Sequence, residues 1–182
     1  MYKIAVIVGS LRKESINKKL MLAVDKLNHP KIEFQILKID DVPIFNQDNE
    51  SNLPASVVRL KDEVAKADGV LFVTPEYNRS IPGVLKNIID WGTRPYGKNV
   101  WKDKPAAMMG TSQSPVGTAV AQDHLRSIMV GIGSILFGLP ELYISHKAGA
   151  IDEDSIVIDE GLKKNLQGFL DTFEKELAMV VK

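Results

Sequence analysis

Hydrophobic and polar positions change period repeatedly along the chain. Lys3 to Val8 is a continuous β-branched run, the pattern of a strand buried on both faces. From Ser15 to Leu27 the spacing becomes helical, with Ile16, Leu20, Ala23, Val24 and Leu27 on one face, and His29-Pro30 stops it. Ile32 to Ile39 alternates apolar and polar residues and predicts a second strand near a sheet edge. Residues 40–54 are polar with two prolines and read as a loop. Ala55 to Ala67 is a helix with Val57, Leu60 and Val64 inward, closed by Asp68-Gly69. Val70 to Val73 is a third strand. Pro82 to Trp91 is a helix, with Ser80 expected as its cap and Pro82 in its first turn. Arg94 to Asp103 is a loop carrying Tyr96 and Trp101. Pro105 to Met109 predicts strand four, Thr118 to Gly131 a helix, and Ser134 to Phe137 a short fifth strand. Asp159 to Val181 closes the chain as a helix, with Leu162, Leu166, Phe169, Leu170, Phe173 and Leu177 inward.

Strict alternation of strand and helix predicts parallel strands joined by right-handed crossovers. The expected architecture is one α/β domain over residues 1–182, a doubly wound five-stranded parallel sheet in the flavodoxin-like order 2-1-3-4-5. A length of 182 residues suits one such core, and no repeat or low-complexity segment divides it. In this topology the loops after strands one, three and four meet at one sheet edge.

Composition narrows the chemistry. Lys plus Arg balances Asp plus Glu at 23 each, so no overall field favours nucleic acid or an anionic membrane. The chain has no cysteine, which removes disulfides, thiolate metal sites and a catalytic thiol, so redox chemistry must come from a bound cofactor. No run is long enough to span a bilayer and the first apolar run reads as a strand, so the expected location is the cytoplasm.

The first loop, Gly9 to Asn17, lacks the glycines of a dinucleotide fingerprint and the lysine of a P-loop. It offers hydroxyls (Ser10, Ser15), an amide (Asn17), a guanidinium (Arg12) and the free N–H groups of a helix start, a set suited to one terminal phosphate. The plain alternative is a βα turn capped by Ser15 with Arg12 solvated. The second loop sets Glu76, Tyr77, Asn78 and Ser80 between Pro75 and Pro82. Stiff ends preorganise its amides, and Tyr77 adds a flat wall. The third, around Ser112 and Gly117, offers hydroxyl and amide donors, or is a simple connection. Together the loops suggest a phosphorylated aromatic cofactor, flavin mononucleotide (FMN).

Other constellations are weaker. Ser112 with Asp123 and His124 lacks the G-x-S-x-G elbow of a hydrolase, and His29, His124 and His146 lack metal-ligand spacing. Asp152-Glu153-Asp154 reads as a solvated turn. Trp91 and Trp101 suit core packing or an interface. No residue is assigned a catalytic role and no metal site is expected.

Gly9-Ser10-Leu11-Arg12, Ser15 and Asn17, Pro75-Glu76-Tyr77-Asn78, Ser80, Pro82-Gly83, Leu85-Lys86-Asn87 and Asp90-Trp91 resemble the NADPH-dependent FMN reductase family. Within it they are similar to bacterial NAD(P)H quinone and chromate reductases. The resemblance implies that Ser10, Arg12, Ser15 and Asn17 hold the FMN phosphate. Pro75, Glu76, Tyr77, Asn78 and Ser80 would line the ring, with Ser112 and Gly117 on its far edge. It also implies NAD(P)H as a transient donor. Quinones, flavins, azo or nitro compounds, or chromate would be small-molecule acceptors in a ping-pong scheme. A homodimer or homotetramer is implied, with the Asp90-Trp91 helix near the interface. Val120 stands where relatives carry an arginine, which bears on assembly and specificity. The rival reading is a flavodoxin-type electron carrier, which docks partners by charge; the balanced composition fits that poorly.

Overall fold

The computed structural model describes residues 1–138 and 140–181. Strands β1 (Tyr2–Val8), β2 (Ile32–Ile36), β3 (Gly69–Val73) and β4 (Pro105–Ser112) join β5 (Ile135–Leu136) and β6 (Leu142–Ser145) in one parallel sheet. Its order is β2-β1-β3-β4-β5, the flavodoxin-like order. Helices α1 (Ile16–Asp25) and α5 (Glu160–Val180) cover one face; α2 (Ala55–Lys66), α3 (Gly83–Thr93) and α4 (Ala119–Gly131) cover the other. No described helix is long and apolar enough to cross a membrane.

β3 is buried throughout and β1 from Ile4 to Val8, as their apolar runs require. β2 is the edge strand the alternation predicts. It ends at Ile36, three residues short of the expected Ile39, with Leu37 N–H to Val6 O at 2.9 Å as its last ladder bond. The clearest departure is at the other edge, where the fifth sheet position is filled by two segments. β5 pairs with Pro105 and Ala106, and β6, which lies outside every predicted element, pairs with Met109 to Ser112. With that partner β4 runs on to Ser112 instead of stopping at Met109. The sheet must also be thin here: a Cβ at Gly110 would come within 2.1 Å of Thr74 O.

Both tryptophans are core residues. Trp101 is fully buried and donates Nε1–H to Ile89 O at 2.9 Å. Its indole lies on Gly92, where an added Cβ would sit 2.1 Å from Trp101 Nε1. Trp91 takes the core alternative of the two, turning wholly inward and donating Nε1–H to Pro43 O at 2.8 Å. Asn87 joins it, donating to Pro43 O at 2.9 Å and accepting from Phe45 N–H at 2.7 Å, so α3 pins the loop after β2.

The Gly92–Trp101 contact gives a stability test. Gly92→Ala should cost about 3 kcal/mol, because the indole must leave both its pocket and its hydrogen bond. Urea unfolding checks this, and a loss within experimental error would mean that α3 moves to accept the methyl.

Candidate cofactor site at the carboxyl edge of the sheet

The first loop leaves β1 through Gly9 N–H to Val73 O at 2.8 Å, and enters α1 at Ser15, whose Oγ accepts from Lys18 N–H at 3.2 Å. Ser15 is therefore the helix cap, as in the plain reading of the sequence. Its neighbours are less satisfied. The N–H groups of Leu11, Lys13, Glu14, Ser15, Ile16 and Asn17 have no acceptor among the described residues. The first turn of α1 carries no acidic residue. The result is a run of donors at a positive helix end, chemically fitted to a phosphate. Arg12 is exposed beside it, with its own N–H toward Ser10 Oγ at 3.4 Å.

Asn17 takes a different part from the one its motif implies. It is buried, and its side chain is engaged at both ends: Nδ2 donates to Thr111 O at 2.8 Å, and Thr111 N–H donates to Oδ1 at 2.9 Å. Its side chain is a clamp between α1 and β4, and only its backbone N–H is left without a partner among the described residues.

The second loop is stiffer than its prolines alone require. Pro75 and Pro82 are both buried. Between them Tyr77 N–H donates to Ser80 O at 2.9 Å and Ser80 N–H returns to Tyr77 O at 3.0 Å. Asn78 and Arg79 have φ of 50° and 62°, so this is a type I′ turn. Ser80 does not cap α3, which starts at Gly83 after Pro82 without a side-chain cap. The Ser80 hydroxyl instead meets His124 Nδ1 at 3.1 Å. The Glu76 carboxylate reaches α4, where its Oε2 accepts from Val120 N–H at 3.0 Å and Ala121 N–H at 3.1 Å. It thus caps α4 from outside.

The third loop is closed by Ser112, which donates its hydroxyl to Gly117 O and accepts from Ser114 N–H at 3.1 Å. Gly117 has φ of 58° and lies on β6, where a Cβ would reach 2.5 Å from the Tyr143 carbonyl carbon. Each loop leaves one large apolar side chain exposed: Leu11, Tyr77 and Val116. Donors on one side and apolar surface on the other suit a ligand with a phosphate tail and a flat ring.

Ser10, Arg12, Ser15, Tyr77, Asn78, Ser80, Ser112 and Gly117 thus belong to three loops that the structure ties to one another. Sequence reading missed Thr111 and the Ser80 contact of His124. An Asn in the first turn of α1 was the available signal for the first; the second has none in the sequence.

A family model described as NADPH-dependent FMN reductase matches residues 2–149. A 2-hydroxy-1,4-benzoquinone reductase from a Burkholderia species is 45% identical over 171 residues, covering 94% of this chain and 93% of its own. A quinone reductase from Pseudomonas putida is 41% identical over 173 residues, covering 94% of this chain and 92% of its own. Among solved structures, FerB, a flavoenzyme NAD(P)H:(acceptor) oxidoreductase from Paracoccus denitrificans, superposes with a TM-score of 0.95 at 47% identity over 99% of each chain.

The clamp predicts an unusual substitution pattern. Asn17→Ala should lower stability by about 2–3 kcal/mol, because it orphans two buried backbone groups. Asn17→Asp should be no better, since a carboxylate cannot donate to Thr111 O and is charged where it is buried. Thermal unfolding of both variants checks this, and a near-native Asn17→Asp would show that the clamp is dispensable.

Proposed function

The chain belongs to the NADPH-dependent FMN reductase family, whose members are oxidoreductases using FMN and NAD(P)H, and we propose that it is a quinone reductase built on these three loops. The observation that carries the reading is the set of N–H groups without acceptors, Leu11 and Lys13 through Asn17. These groups and the Ser10 hydroxyl receive the FMN phosphate, and Arg12 supplies a permanently charged fork beside them. The Pro75–Pro82 hairpin, through the backbone of Pro75, Glu76 and Asn78 and the side chains of Tyr77 and Ser80, forms one wall of the ring site. Ser112 and Gly117 shape the other.

Bound FMN supplies hydride acceptance from NAD(P)H and onward transfer to a small-molecule acceptor, with donor and acceptor visiting in turn. The chain's own work is to hold and orient. The buried prolines and the Glu76 cap keep the loop amides fixed. Leu11, Tyr77 and Val116 shed water from the flat face. Quinones are favoured as acceptors by the named relatives; flavins, azo and nitro compounds and chromate fall within the same open-cleft chemistry. The reading includes a cytoplasmic setting and a homo-oligomer. With Trp91 turned inward, the oligomer contact falls on Ile44 and Tyr96, 79% and 94% exposed beside α3.

The purified protein should show a flavin absorption spectrum that bleaches when NADPH is added without air. A bound flavin that stays oxidised would mean a carrier reduced by another protein, and no flavin uptake would remove the site assignment. Arg12→Ala should weaken FMN binding by about tenfold or more, the worth of a charged hydrogen bond, as read by fluorescence on flavin release. Ile44→Glu should shift the protein to monomer in light scattering.

A further inference from the structure

We propose that the chain has a second small-molecule site, between α1, β6 and α5, for an aromatic carboxylate bearing a hydroxyl at its far end. The cavity there has a volume of about 460 Å³, inside the range of small-molecule sites. It opens on the α1–α5 face and uses none of the three loops' ring-facing residues. Ile16 and Leu20 of α1, Leu142 and Ile144 of β6, and Leu162 of α5 give it apolar walls.

Its floor and rim are polar in a specific way. Thr111 lies at the floor, only 3% exposed, and its Oγ1 is buried without a hydrogen-bond partner among the described residues. The alternation of β4 puts its side chain on the same face as Ala107 and Met109, toward α1 and α5. The main-chain groups of Thr111 are already taken by Asn17, so the hydroxyl is its one unused function. A buried hydroxyl left unpaired is costly, and a ligand oxygen is the natural partner for it.

At the rim the charges cancel except for one. Lys147 is paired with Asp159 at 3.0 Å, and Glu141 with Arg126 at 3.2 Å. His146 also lines the rim. Lys19, which also lines the cavity, has no carboxylate or carbonyl partner for its ammonium among the described residues. An unmatched cation outside, an unmatched hydroxyl inside and apolar walls between them describe one ligand class. Its anion meets Lys19, its ring fills the cavity, and its hydroxyl reaches Thr111.

The test is a methyl NMR titration of the purified protein, flavin included, with 4-hydroxybenzoate and benzoate as probes. Saturable one-to-one shifts are expected at the methyls of Ile16, Leu20, Ile144 and Leu162, with 4-hydroxybenzoate binding about tenfold tighter, the worth of one satisfied hydrogen bond. In Thr111→Val the two acids should bind alike. That variant keeps the side-chain shape and removes only an unpaired hydroxyl, so its fold is not at risk. Lys19→Gln should weaken both acids by a similar factor. Absence of saturation, equal binding of the two acids by the unaltered protein, a preference that survives Thr111→Val, or shifts confined to Leu11 and Val116 would each overturn the proposal. None of these readouts depends on flavin reduction.

Discussion

The hydrogen-bonded pair between the Asn17 carboxamide and the Thr111 main chain is the constraint on which the functional edge depends. β3 ends at Val73, but its neighbour β4 continues to Ser112. Beyond Met109 the inner side of β4 would face no strand, and the N–H and C=O of Thr111 would be left unpaired in a buried place. Asn17 presents one acceptor and one donor in the geometry of a peptide group, and so continues the ladder for one residue. The chain of β3 is thereby free to leave the sheet and build the Thr74–Pro82 loop. The same bond fixes the first turn of α1 against β4, which holds the helix end toward that edge.

A second pairing decides which helix end can take an anion. α1 and α4 both begin at this edge, with α4 following the Ser112–Gly117 loop. The end of α4 is already occupied, because Glu76 reaches across and places a carboxylate on the N–H groups of Val120 and Ala121. The end of α1 has a neutral serine cap and no acid in its first turn. The α4 terminus is thus satisfied from within, while the α1 terminus keeps free donors of the kind an anion can use.

The fold was legible in the sequence wherever periodicity was long. The buried runs of β1 and β3, the apolar stripes of α1, α2 and α5 and the order of elements all follow from spacing. β6 was lost because Leu142-Tyr143-Ile144-Ser145 is short and separated from β5 by the Phe137–Glu141 break, so one strand position was written in two pieces. Loop positions were legible too, since each follows a strand and precedes a helix. The duties of individual side chains were not. Asn17, Glu76 and Ser80 carry motif positions, yet their side chains serve Thr111, α4 and His124. Those partners lie 44 residues or more away in sequence, and no local pattern encodes them.

The hairpin between the two prolines shows how such distant support sustains a local cost. A type I′ turn needs positive φ at both central residues. Asn78 tolerates this, but Arg79, at φ of 62°, bears a penalty of about 1 kcal/mol. The turn is kept by the paired Tyr77 and Ser80 backbones, by buried Pro75 and Pro82, and by the Glu76 cap and the His124 contact that tie its ends to α4. A simpler turn would relieve the strain and swing Tyr77 away from the cleft. Strain held by so many independent anchors has the character of a positioned wall rather than of a loop free to relax.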